Sequence, residues 1–299
     1  MNKKNRVLIT GASGMLGSEI VSLFEANKDK LNIEKILKHR QQKQPGFISL
    51  DLKKKKDLEQ ISNYDWNVII HTAANRNPDL CAENPDNAVK INYEATAYLA
   101  KEAARRKAYM IYISTDYVFD GKNPPYNEDS KTNPINLYGE TKLSGEKALL
   151  SASEKNCSLR VPFLYGIKAG IEQAPMLSGS IKAIKDNSKK YFLDNVGVRY
   201  PTFTGDVADA VMLLLKKCAS GIFHCSGEDK MTKYTIALAI AKYLNLPSDH
   251  IIPLMKPATT KAERPHNTHL ITEKLKAEGW NTPLPLNERI KQLLNNKQS

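Results

Sequence analysis

The sequence has little of what several specialised protein classes require. Its four cysteines show no Cys-x-x-Cys spacing and no paired histidines, so we predict neither a disulfide framework nor a zinc site; they are Cys81, Cys157, Cys218 and Cys225. No apolar run is long enough to span a bilayer, and Met1–Arg6 leads into the first apolar segment without a hydrophobic leader. We therefore expect a cytoplasmic protein with free thiols, no metal and no membrane association.

Acidic residues are outnumbered, with 32 Asp and Glu against 44 Lys and Arg, which gives a formal net charge of +12. Four of the cations form the run Lys53–Lys56, which precedes a helix predicted from about Asp57 and is typical of a solvated surface. Aromatic residues make up only 7% of the chain, and no aromatic-basic platform or recognition motif accompanies the run. Nucleic-acid binding is therefore not expected, and the positive charge suits an acidic partner of another kind.

Apolar segments are abundant: 41% of the 299 residues are hydrophobic, which is enough for a full core. Short apolar runs alternate with helical periodicity, and this pattern predicts an α/β fold with a doubly wound parallel sheet of the Rossmann type. The predicted strands cover residues 6–10, 33–37, 47–52, 67–71, 109–113, a sixth run from 159, and a returning strand at 221–224. We assign residues 1–162 to a cofactor domain and 163–299 mainly to a smaller, interleaved substrate-binding lobe.

A glycine-rich turn follows the first predicted strand and opens a helix. Strand, glycine turn and helix in this order predict a dinucleotide site, because the glycines allow a tight turn and the helix N-terminus faces the pyrophosphate. The predicted contacts in this turn are Gly11, Ser13, Gly14, Met15, Leu16 and Gly17.

The second strand ends in Lys38-His39-Arg40 where an NAD-binding protein would carry an acidic residue. A cation suits a 2′-phosphate, so we predict NADP(H), with Arg40 as the phosphate contact and a solvated loop arginine as the alternative. Asp51, beside Leu52, is placed either to meet the adenine edge or to cap the next helix. The small residues Thr72, Ala73 and Ala74 follow the fourth strand and would let the backbone approach the cofactor.

Three polar residues follow the fifth strand or lie on one helix face. Tyr138 and Lys142 are four residues apart, which places them on the same side of a helix. A fixed cation nearby would favour the phenolate form of Tyr138 and so tune it as a proton donor. Thr115 ends the fifth strand, at the sheet edge where ligands of open parallel sheets bind. His71 is expected to be a packed residue, and Asn92, within the apolar stripe of a helix predicted over 85–106, to need buried partners.

These motifs resemble the extended short-chain dehydrogenase/reductases, and within them the dTDP-4-dehydrorhamnose reductases. The resemblance covers nearly the whole chain and rests on Gly11-x-x-Gly14-x-x-Gly17, Ser114–Phe119, Tyr138-x-x-x-Lys142, Pro201-Thr202 and Arg264-Pro265. It implies that Thr115, Tyr138 and Lys142 form a catalytic triad, that NADPH supplies hydride and that Val161 lies near the nicotinamide. Tyr117 stands where dehydratases have a glutamate base, so reduction is the expected chemistry.

Several stretches are similar to the regulatory β subunits of methionine adenosyltransferase, among them 111–121, 231–234 and 245–248. The segment Asp194–Thr202, with Arg199 before the aromatic residue and proline, also fits that branch. The alternative function is therefore an NADP-binding regulatory subunit with methionine adenosyltransferase as its partner, and a weaker alternative is an epimerase or another sugar-nucleotide reductase. The expected ligand is a nucleotide sugar, and a homodimer is left open.

For this nucleotide sugar, the predicted substrate contacts are Tyr117, Arg199 and Arg264. A guanidinium fork matches phosphate geometry, although either arginine could equally belong to a surface ion pair.

Overall fold

A computed structural model gives the arrangement of the chain and describes residues 4–41, 43–166, 177–256 and 259–295. Of residues 1–6, which precede or begin the first apolar segment, the first three lie outside these ranges. Eleven strands are present in the described ranges: β1 Asn5–Thr10, β2 Ile33–Arg40, β3 Ile48–Ser49, β4 Val68–His71, β5 Tyr109–Thr115, β6 Cys157–Val161, β7 Leu164–Tyr165, β8 Tyr191–Asp194, β9 Thr202–Phe203, β10 Gly221–His224 and β11 Ile251–Leu254.

The same ranges contain eleven α-helices: α1 Met15–Ala26, α2 Lys55–Gln60, α3 Pro78–Glu83, α4 Pro85–Val89, α5 Ala95–Arg105, α6 Leu137–Ala152, α7 Ser178–Lys185, α8 Thr204–Lys217, α9 Lys233–Leu244, α10 Glu273–Ala277 and α11 Leu286–Asn295. A π-helical turn, Lys90–Glu94, joins α4 to α5, and short 3₁₀ turns follow α2 and β5.

Seven strands form one parallel sheet in the order β10-β6-β5-β4-β1-β2-β3, which is a doubly wound, Rossmann-like arrangement. The strand order reverses between β1 and β4, and ligands of such sheets bind at the carboxyl ends of the strands beside this switch point. Strand β10 pairs with β6, with Gly221 opposite Cys157, so the later half of the chain returns a strand to the sheet. The division of the chain at residue 162 stays a prediction.

Side chains of the central strands alternate between the two faces of the sheet, as the two-residue period of a strand requires. Val7 and Ile9 pack with α1 and α8, for example against Phe24 and Val211, whereas Leu8 packs on the opposite face with residues of α2, α5 and α6. The smaller lobe has its own apolar cluster, built from α7, α9, β11 and α11. The sheet is therefore covered on both faces, which leaves its carboxyl edge for the site.

Two predicted elements differ from those observed. The third strand, predicted over 47–52, is paired only at Ile48 and Ser49, because β3 is an edge strand and Leu50 and Leu52 instead bury their side chains in the core. The helix predicted over 85–106 is interrupted by the π turn Lys90–Glu94. Within the described part of the chain, no helix combines the length and the apolar character needed to cross a membrane.

Candidate active site

The glycine turn between β1 and α1 has a backbone that side chains would block. Gly11 has a φ of +64°, and a Cβ added there would lie 2.8 Å from Thr72 Oγ1. A Cβ on Gly17 would lie 2.2 Å from the carbonyl oxygen of Gly11, so α1 packs directly on the turn. The helix starts after Gly14 without a side-chain cap and with no acidic residue in its first turn. Its N-terminus is therefore suited to an anion such as a pyrophosphate.

A cleft of about 700 Å³ lies beside this turn. Its lining includes Ser13, Gly14, Met15, Lys38, Arg40 and Phe47. The Lys38 ammonium and the Arg40 guanidinium lie 5.6 and 5.9 Å from the centre of the Phe47 ring, and Arg40 also donates a hydrogen bond to Gln44. Two cations thus meet at the end of β2, where the sequence predicts a 2′-phosphate contact.

Asp51 does not cap the following helix, which corrects one of its two predicted roles. The residue before α2 is Lys54, and its side chain makes no cap hydrogen bond. Asp51 Oδ1 instead accepts a hydrogen bond from the Lys53 amide at 3.1 Å, and the Asp51 amide donates to Asp57 Oδ2 at 2.7 Å. Leu52 is 2% exposed and belongs to the core. The adenine contact of Asp51 stays a prediction.

The segment after β4 is held against β1 and the π turn. Thr72 Oγ1 donates to the Thr10 carbonyl at 2.7 Å, and the Ala73 amide lies 3.4 Å from Thr10 Oγ1. Buried Asn92 accepts from the Asn75 amide at 2.8 Å and donates to Thr141 Oγ1 of α6 at 3.2 Å. The prediction that this amide finds partners is confirmed, and these bonds tie the loop containing Thr72, Ala73 and Ala74 to the helix that carries Tyr138.

His71 is packed, as predicted. Its Nδ1 lies 2.6 Å from Thr10 Oγ1 and its Nε2 lies 3.0 Å from Thr96 Oγ1, with the ring fully buried. Burial holds the pKa of His71 well below its usual value, and the nearby Lys142 charge acts in the same direction. The imidazole is therefore neutral and structural.

Thr115 and Tyr138 meet at the carboxyl end of β5. Thr115 lies close enough to Tyr138 to lower the pKa of its phenol, and Thr115 Oγ1 accepts a hydrogen bond from the Tyr117 amide at 3.2 Å. The Tyr117 ring packs edge-on against Tyr138, with 5.7 Å between ring centres. A Cβ on Gly139 would lie 2.2 Å from the Tyr117 carbonyl oxygen, so glycine lets the start of α6 approach this turn. Desolvation raises the pKa of Tyr138, which keeps its phenol protonated at neutral pH.

The Lys142 ammonium contacts the strand β5 beneath its helix. The ammonium is buried, donates to the Ile113 carbonyl at 2.6 Å and lies 4.0 Å from the centre of the Tyr112 ring. Desolvation lowers the pKa of Lys142 to about 7, against the opposing effect of Glu146. The ammonium is directed at the strand carbonyl, and the predicted stabilisation of the Tyr138 phenolate by Lys142 stays a prediction.

Val161 ends β6, opposite Thr115 in the register of β5 and β6, and it is 5% exposed. It is therefore next to the triad threonine at the carboxyl edge of the sheet. Close by, a Cβ on Gly166 would lie 2.9 Å from the Met15 side chain and 2.5 Å from Thr204 Oγ1. The residue after β7 thus lines the cleft next to Met15.

The three predicted substrate residues lie in one electrostatic neighbourhood, since the charges of Arg199 and Arg264 both act on Tyr117. Arg264 forms a two-point ion pair with Asp79, at 2.7 and 3.1 Å, and this holds the pKa of Asp79 below its usual value. Arg199 Nη1 donates to the Val198 carbonyl at 2.7 Å. The ion-pair alternative for Arg264 is therefore realised, and the pair joins α3 to the segment before α10.

Sequence reasoning missed two buried residues of this site. Asp116, which directly follows Thr115, accepts from Thr115 Oγ1 at 3.2 Å and from Thr268 Oγ1. The strand-end position of Asp116 was a signal, because a polar residue after a buried parallel strand lies at the ligand edge. Thr268 had none, since it lies in an irregular segment 152 residues away. Among the described residues, no group of three or more His, Cys, Asp or Glu side chains is arranged to hold a metal ion.

A seven-stranded parallel sheet with a glycine turn at its switch point and a threonine-tyrosine pair at its carboxyl edge defines a Rossmann-like α/β protein of the dehydrogenase/reductase class. The chain belongs to the RmlD substrate binding domain family, whose model matches residues 5–299.

Two relatives and one solved structure place the chain within that family. It is 39% identical to methionine adenosyltransferase 2 subunit beta of Bos taurus, over 97% of this chain and 87% of that one. It is 31% identical to dTDP-4-dehydrorhamnose reductase of Aggregatibacter actinomycetemcomitans, over 79% and 78%. The crystal structure of a dTDP-4-dehydrorhamnose reductase from Clostridium acetobutylicum superimposes with a TM-score of 0.83 at 26% identity, covering 98% of this chain and all of that one. The two named resemblances of the sequence are therefore confirmed.

Proposed function

We propose that this protein binds NADP(H) and reduces the keto group of a nucleotide sugar, with dTDP-4-dehydrorhamnose as the leading substrate. The observation that carries the proposal is that Thr115 and Tyr138 lie together at the carboxyl edge of the sheet that also carries the glycine turn. A reductase at this edge needs a protonated donor for the developing alkoxide, and half-buried Tyr138 has the raised pKa of such a donor. The family relation to a dTDP-4-dehydrorhamnose reductase supports the same assignment.

The residues around the cleft fit a dinucleotide cofactor that carries a 2′-phosphate. The turn Gly11–Gly14 and the open N-terminus of α1 would bind the pyrophosphate, Lys38 and Arg40 the 2′-phosphate, and the loop Thr72–Ala74 the adjoining ribose. When bound, NADPH supplies a hydride. Lys142 would bind the nicotinamide ribose by turning its ammonium from the Ile113 carbonyl, and Val161 would pack near the ring.

Thr115 and Tyr138 would act on the substrate oxygen. Thr115 would turn its hydroxyl proton from Asp116 to the keto oxygen and polarise it, and Tyr138 would then give its phenolic proton to that oxygen as charge develops. Tyr117 would pack against the sugar beside Tyr138. Arg199 and Arg264 would bind the diphosphate, and for Arg264 this requires exchanging the Asp79 carboxylate for a phosphate, which a guanidinium fork matches equally well.

Replacing Arg40 by alanine is expected to weaken NADPH binding by about ten- to hundredfold, the usual worth of charge-assisted hydrogen bonds to one group. NADH lacks the 2′-phosphate, so its affinity should change little. Titration of both cofactors by nicotinamide fluorescence at one salt concentration measures the difference.

The matched control is Lys35→Ala, which removes one positive charge from the same strand at an exposed position outside the cleft lining. It should leave both affinities near those of the wild type. Equal weakening of NADH and NADPH by Arg40→Ala would contradict the assignment of Arg40 to the 2′-phosphate.

A second function is favoured by the sequence comparison, since identity to a methionine adenosyltransferase β subunit is 39%, against 31% to the reductase. In that case the protein is an NADP-binding regulatory subunit, and its partner is a methionine adenosyltransferase. Intact Thr115 and Tyr138 are compatible with this role, because a regulatory subunit can keep the cofactor site and the triad while its function is to bind another protein.

One pair of measurements separates the two functions. NADPH oxidation is followed with enzymatically generated dTDP-4-dehydrorhamnose, and the same preparation is tested for complex formation with a methionine adenosyltransferase by size-exclusion chromatography. Turnover without complex formation supports the reductase. Binding of NADPH and of the partner without turnover supports the regulatory subunit and rejects the reductase.

A further inference from the structure

A buried hydrogen-bond chain joins the candidate active site to the segment before α10. Thr268 Oγ1 donates to Asp116 Oδ2, and Asp116 Oδ1 accepts from Thr115 Oγ1 at 3.2 Å. All three residues are buried: Thr268 is 4% exposed, Asp116 5% and Thr115 4%. A buried carboxylate whose two oxygens are each bound by a hydroxyl has a fixed orientation, because losing either donor leaves a desolvated oxygen without its partner.

Thr115 has one hydroxyl proton, and the contacts of Asp116 decide where that proton is directed. The hydroxyl donates towards Asp116 and accepts from the Tyr117 amide. Thr115 therefore cannot rotate without breaking one of these bonds. The position of its oxygen relative to Tyr138 depends on the orientation of the Asp116 carboxylate.

The segment that carries Thr268 is itself fixed to the rest of the molecule. The Val198 amide donates to the His266 carbonyl at 2.8 Å, and the Tyr126 amide donates to the His269 carbonyl at 2.8 Å. A Cβ added to Gly121 would lie 2.8 Å from the His266 amide, so the loop after β5 packs directly on this segment. Thr268 is therefore held in place on both sides and can act as a fixed donor.

We propose that Thr268 is a positioning residue for the reaction: by holding Asp116, it fixes the Thr115 side chain at the position beside Tyr138 from which the hydroxyl of Thr115 turns to a keto oxygen. This inference rests on the proposed reductase function. Thr268 acts through Asp116 and does not itself need to touch the substrate.

The pKa of Asp116 is a second quantity that depends on the Thr268 hydroxyl. Burial raises the pKa of Asp116 to about 6, while the hydrogen bond from Thr268, the charge of Arg199 and the hydrogen bond from Thr115 lower it. The phenols of Tyr117 and Tyr138 are the other titratable groups that interact with it. Removing the Thr268 hydroxyl takes away a donor to the ionised carboxylate, so the pKa of Asp116 should rise further.

The test compares Thr268→Val, which keeps the shape and loses the donor, with Thr268→Ser, which keeps the donor. Asp116 is titrated by carbon-detected NMR of its carboxyl group, assigned with Asp116→Asn, and kcat is measured with a keto nucleotide sugar. Thr268→Val should raise the titration midpoint of Asp116 and lower kcat by about ten- to hundredfold, the effect of losing a hydrogen bond to a charged group. NADPH affinity should stay unchanged, and Thr268→Ser should restore both the midpoint and kcat.

Thr268→Ala is the second variant in case valine disturbs the packing. An unaltered Asp116 titration in the valine and alanine variants would overturn the proposal whether or not a substrate is turned over. A shifted titration with an unaltered kcat would overturn it as well. Absence of turnover by the wild type rejects the proposed function instead, and the NMR titration then still decides whether Thr268 holds Asp116.

Discussion

Tyr138→Phe should lower the turnover of a keto nucleotide sugar by about 10²- to 10⁴-fold, the range over which a positioned general acid contributes. The substitution removes one hydroxyl from a ring that packs edge-on against Tyr117, and this packing does not depend on the hydroxyl, so the ring itself should stay in place. NADPH affinity should be nearly unchanged, because the variant loses a proton donor and not a binding anchor. The measurements are NADPH oxidation with dTDP-4-dehydrorhamnose and a fluorescence titration of NADPH.

A matched control for this variant is Tyr243→Phe, which removes a phenolic hydroxyl from α9 in the smaller lobe. It should leave turnover at the wild-type level. Undiminished turnover in Tyr138→Phe would exclude Tyr138 as the proton donor. If the protein is instead a regulatory subunit, both variants should bind the methionine adenosyltransferase as the wild type does.

The strands of the cofactor half could be predicted because they are short apolar runs, and three of these runs lead into a glycine or a small polar residue: Gly11, Thr72 and Ser114. That signal is strong for β1, which is buried on both faces and leads into Gly11. It fails for β3, where Leu50 and Leu52 are apolar because they pack into the core and not because they pair with another strand. An apolar pattern records burial, and strand pairing at a sheet edge needs a neighbour that the local sequence does not specify.

The interruption of the helix predicted over 85–106 has a similar origin. A period of 3.6 residues predicts a helix but does not distinguish one extra residue in a π turn from a regular α-helical turn. Here the π turn contains Asn92, and the side-chain amide of Asn92 forms hydrogen bonds with Asn75 and Thr141. The need of this amide for buried partners was predictable from its place in the apolar stripe, whereas the identity of the partners was not.

In the candidate site, the sequence spacing predicts which residues lie near each other but not where their side chains are directed. The four-residue interval predicts that Tyr138 and Lys142 share a helix face, yet Lys142 bonds the Ile113 carbonyl because β5 passes beneath α6. Arg264 bonds Asp79 because α3 lies against the segment before α10. Both outcomes depend on contacts between residues far apart in the chain, and such contacts follow from the packing of the elements and not from local sequence.

The buried ion pair between Arg160 and Glu146 joins α6 to β6 behind the candidate site. Arg160 Nη2 lies 2.6 Å and Nε 3.1 Å from the Glu146 carboxylate, and both side chains are 2% exposed. Ser158 Oγ donates to the same carboxylate at 2.9 Å. Removing one partner of such a pair destabilises the folded protein, because the other charge is then buried without a counter-ion.

Arg160→Met should therefore lower the free energy of unfolding by about 3–5 kcal/mol, since it leaves the Glu146 carboxylate buried without its counter-ion. The measurement is urea unfolding with linear extrapolation to water. The control is Lys217→Met, which breaks the exposed pair with Glu278 at 2.9 Å and should cost about 1 kcal/mol or less. The double variant Arg160→Met/Glu146→Leu should regain most of the loss, because it removes the unpaired charge together with its partner. A single Arg160→Met variant no less stable than Lys217→Met would mean that water or a rearranged side chain compensates Glu146, and that α6 is not held to the sheet by this pair.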